Sequence, residues 1–170
     1  MKKCYLILTL MLMLSLLPLQ PSLADEPLDG LLLPATAEET QFAAEQQQAI
    51  AALLAQQPGA VVDYAVRDLD DGRYEWDLFF TLNGQLGECE VLEDGFAVRR
   101  TVLYDKPSDG LTASQAMAAL AQAKGDVAIL DLELDREGSR LTYEGEALLN
   151  GKYYEFELNV NGSIIEWERD

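Results

Sequence analysis

Residues 150–170, NGKYYEFELNVNGSIIEWERD, decide the fold. They contain two Asn-Gly pairs, Asn150-Gly151 and Asn161-Gly162, which are strong hairpin signals because both residue types tolerate the positive φ of a type I′ turn. Between the pairs the residues alternate, and one face carries Tyr154, Phe156, Leu158 and Val160. The other face carries Tyr153, Glu155, Glu157 and Asn159. This alternation predicts a strand that packs one face on a core and exposes the other to water.

The residues after the second turn extend the same pattern. Ile165 and Trp167 alternate with Glu166 and Glu168. The first two are therefore predicted to point inward and the two glutamates outward. We expect the chain to end as a β-meander with an acidic outer face.

The final strands belong to a unit that occurs twice in the sequence. Residues 82–91 (LNGQLGECEV) match residues 149–158 (LNGKYYEFEL) at an offset of 67, and residues 54–56 match residues 120–122 at an offset of 66. Each half reads as one helix followed by four strands. Because a half of about 66 residues buries little surface alone, we predict an α+β fold of two tandem α-β-β-β-β repeats. They are expected to pack as one antiparallel sheet or as two abutting sheets, with both helices on one face.

Both helix starts are predicted from the spacing of capping boxes, Thr36-x-x-Glu39 and Thr112-x-x-Gln115. In this motif the hydroxyl accepts from the backbone N–H three residues on, and the side chain there accepts from the N–H of the cap residue. Gly125 is expected to end the second helix.

The first 24 residues are predicted to be a secretory signal peptide. Lys2 and Lys3 precede an apolar run at 5–17, and Ser22-x-Ala24 provides a small-x-small cleavage site. The run of 13 residues is shorter than the roughly 20 that span a bilayer. We therefore expect an exported protein, periplasmic or extracellular, without a stable membrane anchor after cleavage. The remainder is predicted to divide into a flexible lead-in (25–35), a first repeat (36–105), a linker (106–110) and a second repeat (111–170).

Composition excludes several classes of function. The formal charge is −18, and loss of the two leader lysines leaves ten basic and 30 acidic residues, or −20. A field of that sign repels phosphate backbones, so nucleic-acid binding is disfavoured. The chain has no histidine, the commonest general base and metal ligand. We predict no cofactor, no catalytic residue and no metal ligand, and Cys89 is expected to be a buried hydrophobe.

The second repeat resembles a PepSY domain. The resemblance is carried by the order helix, Gly, strand and acidic turn, followed by YEGEALLNGKYYEFELNVNGSIIEWERD at 143–170, and it covers residues 111–170. It extends more loosely over about 45–102, where Arg99-Arg100 stands in place of Glu166-Trp167. The tandem layout is also similar to that of β-lactamase-inhibitor-like proteins. Both resemblances imply exported, non-catalytic modules that bind, inhibit or regulate a protein partner such as a secreted peptidase or another hydrolase.

Outward-facing residues on the predicted strands are the candidate contacts for such a partner. Two aromatic residues interrupt the polar face, two adjacent arginines stand out in an acidic chain, and two pairs of glutamates line neighbouring strands. The arginines also fit the role of guarding an edge strand against aggregation. The candidate contacts are Phe79, Arg99, Arg100, Tyr153, Glu155, Glu157, Glu166 and Glu168.

Two other functions remain open at this point. A calcium- or cation-responsive protein is suggested by Asp68-x-Asp70-Asp71-Gly72, which has part of a calcium-loop pattern but lacks the distal acid, so an acidic β-turn is favoured. A carboxylate-dependent hydrolase would need one of two converging acids to lie in an apolar pocket that raises its pKa. Glutamates alternating on an open strand face favour a solvated surface instead.

Overall fold

A computed structural model describes residues 36–70 and 72–170, and the predicted signal peptide and lead-in lie outside this range. The first repeat consists of α1 (Ala37–Gln56), β1 (Val61–Asp70), β2 (Arg73–Leu82), β3 (Gln85–Leu92) and β4 (Ala97–Asp105). The second consists of α2 (Ala113–Lys124), β5 (Ala128–Glu137), β6 (Arg140–Leu149), β7 (Lys152–Asn159) and β8 (Ile164–Arg169). Each repeat forms an antiparallel meander, β1-β2-β3-β4 (the first sheet) and β5-β6-β7-β8 (the second sheet). The predicted α+β fold is confirmed, in the form with two abutting sheets.

Hydrogen-bonded caps begin both helices, as their sequence spacing predicts. At α1 the N–H of Glu39 donates to Thr36 Oγ1 (3.1 Å), and the N–H of Thr36 donates to Glu39 Oε2 (2.7 Å). At α2 the N–H of Thr112 donates to Gln115 Oε1 (3.0 Å). These bonds satisfy N–H groups that have no partner inside the helix. Within the described residues, neither helix has the length and apolarity needed to cross a membrane.

The two Asn-Gly turns of the second repeat differ. At Asn150-Gly151 both residues have positive φ (52° and 73°), as a type I′ turn requires. At Asn161-Gly162 the glycine has positive φ (87°), and Asn161 Oδ1 accepts from the N–H of Ser163 (3.1 Å). This wider turn delays the start of β8 to Ile164.

The prediction that Ile165 points inward is wrong. Glu157 pairs with Glu166, while the next residue of β7 pairs with Ile164, so Ile165 is the extra residue of a β-bulge. Its side chain is 43% exposed. The bulge lets Ile164 and Trp167 both pack against the core. The remaining alternation of β8, with its two glutamates outward, is as predicted.

Two cores hold the fold together. In the first, α1 packs on one face of the first sheet, and the buried side chains include Leu53, Trp76, Leu78, Phe80 and Cys89. In the second, α2 packs on the inner face of the second sheet, through Met117, Leu120, Leu134, Tyr143, Phe156 and Leu158. The second core also contains Val66, Phe79 and Leu86 from the first sheet. Both faces of the first sheet are therefore covered, one by α1 and the other by the second repeat.

The burial of Phe79 corrects its predicted role as an exposed partner contact. Its side chain does point away from α1, as the alternation of β2 requires, but it is only 1% exposed. Its ring lies 6.4 Å from the ring of Tyr64 and 6.4 Å from that of Tyr143 in the other repeat. Phe79 is thus part of the core between the repeats. Alternation alone predicts that this face of β2 is exposed to water, but the second repeat docks on it.

The edge strand β5 crosses the strands of the first sheet. Asp131 lies near acids of β1 and β2, the N–H of Leu134 donates to Glu88 Oε2 of β3 (2.8 Å), and Arg136 lies 5.9 Å from the ring of Tyr104 in β4. A strand edge exposes N–H groups that need partners. Here the buried carboxylate of Glu88 satisfies one of them, so the docking of the repeats is polar as well as apolar.

The first repeat also completes the cap of α2. The N–H of Ser114 donates to Asp63 Oδ2 (3.1 Å). Asp63 is the extra residue of a β-bulge in β1. The second helix therefore begins against a carboxylate that the first repeat provides.

Candidate functional site

The outer face of the second sheet, opposite α2, carries two rows of carboxylates. The pairing of β5, β6, β7 and β8 places one acid of each row on each strand, directly opposite the next. The inward positions of the same strands hold the core, so all eight acids point away from it. The rows are Glu133–Glu144–Glu157–Glu166 and Asp131–Glu146–Glu155–Glu168, and together they are called the acidic face.

This arrangement opposes stability. Side chains directly opposite each other in an antiparallel pair have Cβ atoms about 4.5–5.5 Å apart, and like charges there are destabilising. The two rows contain six such like-charge pairs. A surface that served solubility alone would not need acids in cross-strand register, because acids mixed with lysines would be as well hydrated.

Little of the described chain neutralises the acidic face. Arg140 contacts Glu157 (3.2 Å) and also Glu137 (2.8 Å). Thr142 Oγ1 donates to Glu144 Oε1 (2.7 Å). Among the described residues, Arg140 is the one cation that forms an ion pair with the face. The potential at this surface is therefore strongly negative.

A shallow cleft of about 270 Å³ lies in the middle of the acidic face. Its walls are carboxylates of both rows, and its floor is formed at Gly145 and Phe156. Gly145 is needed there, because a Cβ at this position would collide with the carbonyl oxygen of Asp131. The cleft could receive a guanidinium or ammonium group from another molecule.

The structure brings together four of the predicted contacts, Glu155, Glu157, Glu166 and Glu168, on the acidic face. Tyr153 lies on the same side of β7 at the end of the acidic face, and it is 37% exposed. Four members of the face were missed by sequence reasoning, namely Asp131, Glu133, Glu144 and Glu146. Their signal was present in the alternation of LDLELD and YEGEA, but strand pairing was needed to place them in the same rows.

Arg99 and Arg100 lie in a different environment. A β-bulge in β4 leaves Arg99 as the extra residue, so that both arginines reach the acids of the first sheet. Arg99 contacts Glu75 (3.0 Å) and Asp70 (3.1 Å), and Arg100 contacts Glu90 (2.8 Å). Both side chains remain about half exposed, so these ion pairs contribute little stability. Their place on an edge strand fits the guarding role.

The two repeats align differently at the last strand from what the sequence suggested. Arg100 pairs with Glu90 of the first sheet, and Glu166 pairs with Glu157 at the equivalent position of the second sheet. Arg100, and not Arg99, is therefore the counterpart of Glu166. The same position carries a cation in the first sheet and an anion in the second, which leaves the second sheet the more negative of the two.

Two buried acids and one partly buried acid lie where β5 crosses the first sheet. Asp77 and Glu88 point away from α1 and are 5% and 3% exposed, and Asp131 approaches from β5. Burial, reinforced by neighbouring acids, raises the pKa of Asp77 to about 9 and that of Asp131 to about 7. Burial also raises the pKa of Glu88 to about 7, although its bond from Leu134 and the charge of Arg100 oppose the shift. These three acids are called the junction carboxylates.

The geometry of the described residues favours neither a metal site nor a hydrolase site. Within the described residues, no group of three or more acidic or cysteine side chains is close enough to hold a metal ion. Asp71 of the calcium-like pattern lies outside the described residues, and Asp70, the last residue of β1, contacts Arg99 (3.1 Å). The cleft of the acidic face is lined mainly by carboxylates rather than by the apolar groups that a general acid needs.

Comparison with known proteins supports the resemblance seen in the sequence. Residues 110–168 match the family model PepSY, described as "Peptidase propeptide and YPEB domain". This range contains α2, the strands of the second sheet except the last residue of β8, and the whole acidic face. Among solved structures the chain is similar to a "putative lipoprotein" from Clostridium difficile 630, with 13% identity and a TM-score of 0.41 over 74% of this chain and 92% of that one. No curated protein matches the chain significantly.

Proposed function

Because its second repeat matches the PepSY family, we propose that this protein is an exported, non-catalytic module that binds a protein partner through the acidic face. The predicted signal peptide supports export to the periplasm or the extracellular space. The family description supports a partner among secreted peptidases or other hydrolases, which the module would inhibit or regulate. The observation that carries the proposal is the register of the acids, which destabilises the free protein and favours a complex with a positively charged surface.

A comparison of the two sheets supports the use of this face. The equivalent face of the first sheet is covered by the second repeat and contains Val66 and Phe79, where the second sheet has Glu133 and Glu146. The face of the sheet opposite the helix can therefore serve as a docking surface. In the second sheet the described chain covers this face only at its β5 edge, where Asp131 approaches the first sheet, and the docking positions carry acids. A partner with complementary basic residues fits these positions.

Electrostatics would act mainly on the rate and selectivity of binding. A negative face of this kind accelerates association with a basic partner, and this acceleration falls with salt because the Debye length shortens from about 10 Å at 0.1 M to about 3 Å at 1 M. Exposed Tyr153 at the end of the face would add contact area of the type that is enriched at interfaces. The contact needs no chemical step by this protein.

The experiment compares wild type with Glu155→Lys and a matched control, Asp94→Lys. Glu155 lies between Glu146 and Glu168 in its row, whereas Asp94 is an exposed turn residue of the first repeat. Each immobilised protein is presented with the secreted and envelope proteins of the producing cells at low salt. A captured protein is then purified, and its hydrolase activity is measured with and without each variant.

We expect wild type and Asp94→Lys to capture and regulate the same protein, and Glu155→Lys to lose it. Glu155→Lys should at the same time be more stable than wild type by about 0.5–1 kcal/mol, because two like-charge contacts become attractive. Equal capture by all three proteins would show that the acidic face is not the binding surface. Capture of nothing by wild type would count against the binding function itself.

A further inference from the structure

The junction carboxylates form a cluster that ion pairs do not neutralise, because Arg100 lies 4.0 Å from Glu88 but is closer to Glu90 (2.8 Å). Asp77 comes from β2, Glu88 from β3 and Asp131 from β5, so the cluster includes both repeats. Arg99 and Arg100 reach Glu75, Glu88 and Glu90 on the same side of the first sheet. Among the described residues, no cation or hydrogen-bond donor contacts Asp77, which is 5% exposed and surrounded by other acids.

The charged surroundings of Asp77 are almost entirely negative. The neighbouring charged groups lie on β1, β2, β3, β4, β5 and β6. The arginines of β4 form ion pairs with other carboxylates. The groups are Asp68, Glu75, Glu88, Glu90, Arg99, Arg100, Asp131, Glu133 and Glu146. An unpaired carboxylate buried in such a place is costly when charged, and it is neutralised most simply by a proton.

We propose that the junction carboxylates are a proton-binding site that controls how tightly the two repeats dock. With protons bound, the site is close to neutral, and β5 rests on the first sheet with Leu134 held by Glu88. When the protons leave, several negative charges remain in a poorly hydrated junction, and their repulsion separates β5 from the first sheet. Asp131 also belongs to the acidic face, but the proposal concerns the docking of the repeats and does not depend on partner binding.

The direction of the effect follows from the burial of these acids. Their pKa values in the docked protein lie above the ordinary values near 4 for Asp and Glu, because burial disfavours the charged form. The docked state therefore binds more protons than a separated state. Docking is fully stabilised below the ordinary pKa range, and this stabilisation is lost as the pH rises through about 7 for Asp131 and Glu88 and about 9 for Asp77.

Hydrogen exchange of the Leu134 amide measures docking directly, because this N–H is held by Glu88 across the junction. Exchange is measured on the purified protein from pH 5.5 to pH 9, and each rate is divided by the intrinsic rate at that pH. The isosteric variant Asp77→Asn removes one titrating group without changing the shape of the site, and Asp131→Asn provides a second variant from the other repeat. Glu155→Gln, at the position equivalent to Glu88 but on the open acidic face, makes the same change in net charge.

In the wild type, protection of the Leu134 amide is expected to fall at least tenfold between pH 5.5 and pH 9. Asp77→Asn and Asp131→Asn should each reduce that fall, while Glu155→Gln should leave it unchanged. Constant protection in the wild type across this range would overturn the proposal. An equal reduction of the pH-dependent fall by Glu155→Gln and by Asp77→Asn would also overturn the proposal, because the effect would then come from net charge alone.

Discussion

Replacement of Phe79 by alanine tests the docking of the two repeats. Phe79 is 1% exposed and contacts aromatic rings of both repeats, so truncation leaves a cavity in the shared core. A fully buried Phe→Ala substitution costs about 3–5 kcal/mol, which includes the lost transfer energy and the cavity. With a urea m-value of about 2 kcal/mol/M, the midpoint of unfolding should fall by about 2 M.

The two tryptophans allow each core to be followed separately. Trp76 is buried beneath α1 in the first core, and Trp167 packs at the side of the second. Urea unfolding is followed by fluorescence in variants that retain one tryptophan at a time. Because Phe79 belongs to a core built by both repeats, we expect both signals to shift together. The matched control is Tyr153→Ala, the other aromatic residue on an outward strand position, which should change stability by less than about 1 kcal/mol.

Two results would refute this reasoning. If Phe79→Ala unfolds at the same urea concentration as Tyr153→Ala, the ring is not buried between the repeats. If only the signal from Trp76 shifts, the repeats unfold independently, and the second core does not depend on the first sheet.

Three further substitutions test other parts of the fold. Trp167→Ala should destabilise by about 2 kcal/mol by thermal unfolding, because the ring is only partly buried but stacks on Tyr154 at 4.7 Å; an unchanged melting temperature would contradict the register of β8. Gly145→Ala should cost about 3 kcal/mol or prevent folding, because its Cβ would meet the backbone of Asp131, and a stable variant would show that β5 does not approach so closely. Asp63→Ala should cost about 1 kcal/mol through the cap of α2, with helix content by circular dichroism as the readout.

Local patterns in the sequence predicted the elements but not their irregularities. The type I′ turn at Asn150-Gly151 and the capping box at Thr36 follow from short-range chemistry, so they could be identified from a few residues. The bulge at Ile165 could not, because it is defined by the pairing of β8 with β7 and has no signal in the alternation of β8 alone. The last strands of the two repeats were aligned one residue apart because the turn before β4 is one residue longer than the turn before β8. Val91 pairs with Val98, whereas its equivalent Leu158 pairs with Ile164.

The candidate site could be predicted only in part, because strand pairing and docking are long-range properties. Alternation placed Glu155 and Glu157 on an outer face, but only strand pairing brings the acids of β5 and β6 into the same rows. Alternation also placed Phe79 and Glu88 outward, which is correct relative to α1. Their burial results from the docking of β5 on that face, a long-range contact for which the sequence carries no local signal.

The cap that Asp63 gives to α2 bears on where this polypeptide can be divided. A fragment cut at the family boundaries, residues 110–168, would retain every strand of the second sheet but would lose that aspartate and the apolar side chains that cover Tyr143. The smallest segment able to shield its own hydrophobic interior is therefore the duplicated pair.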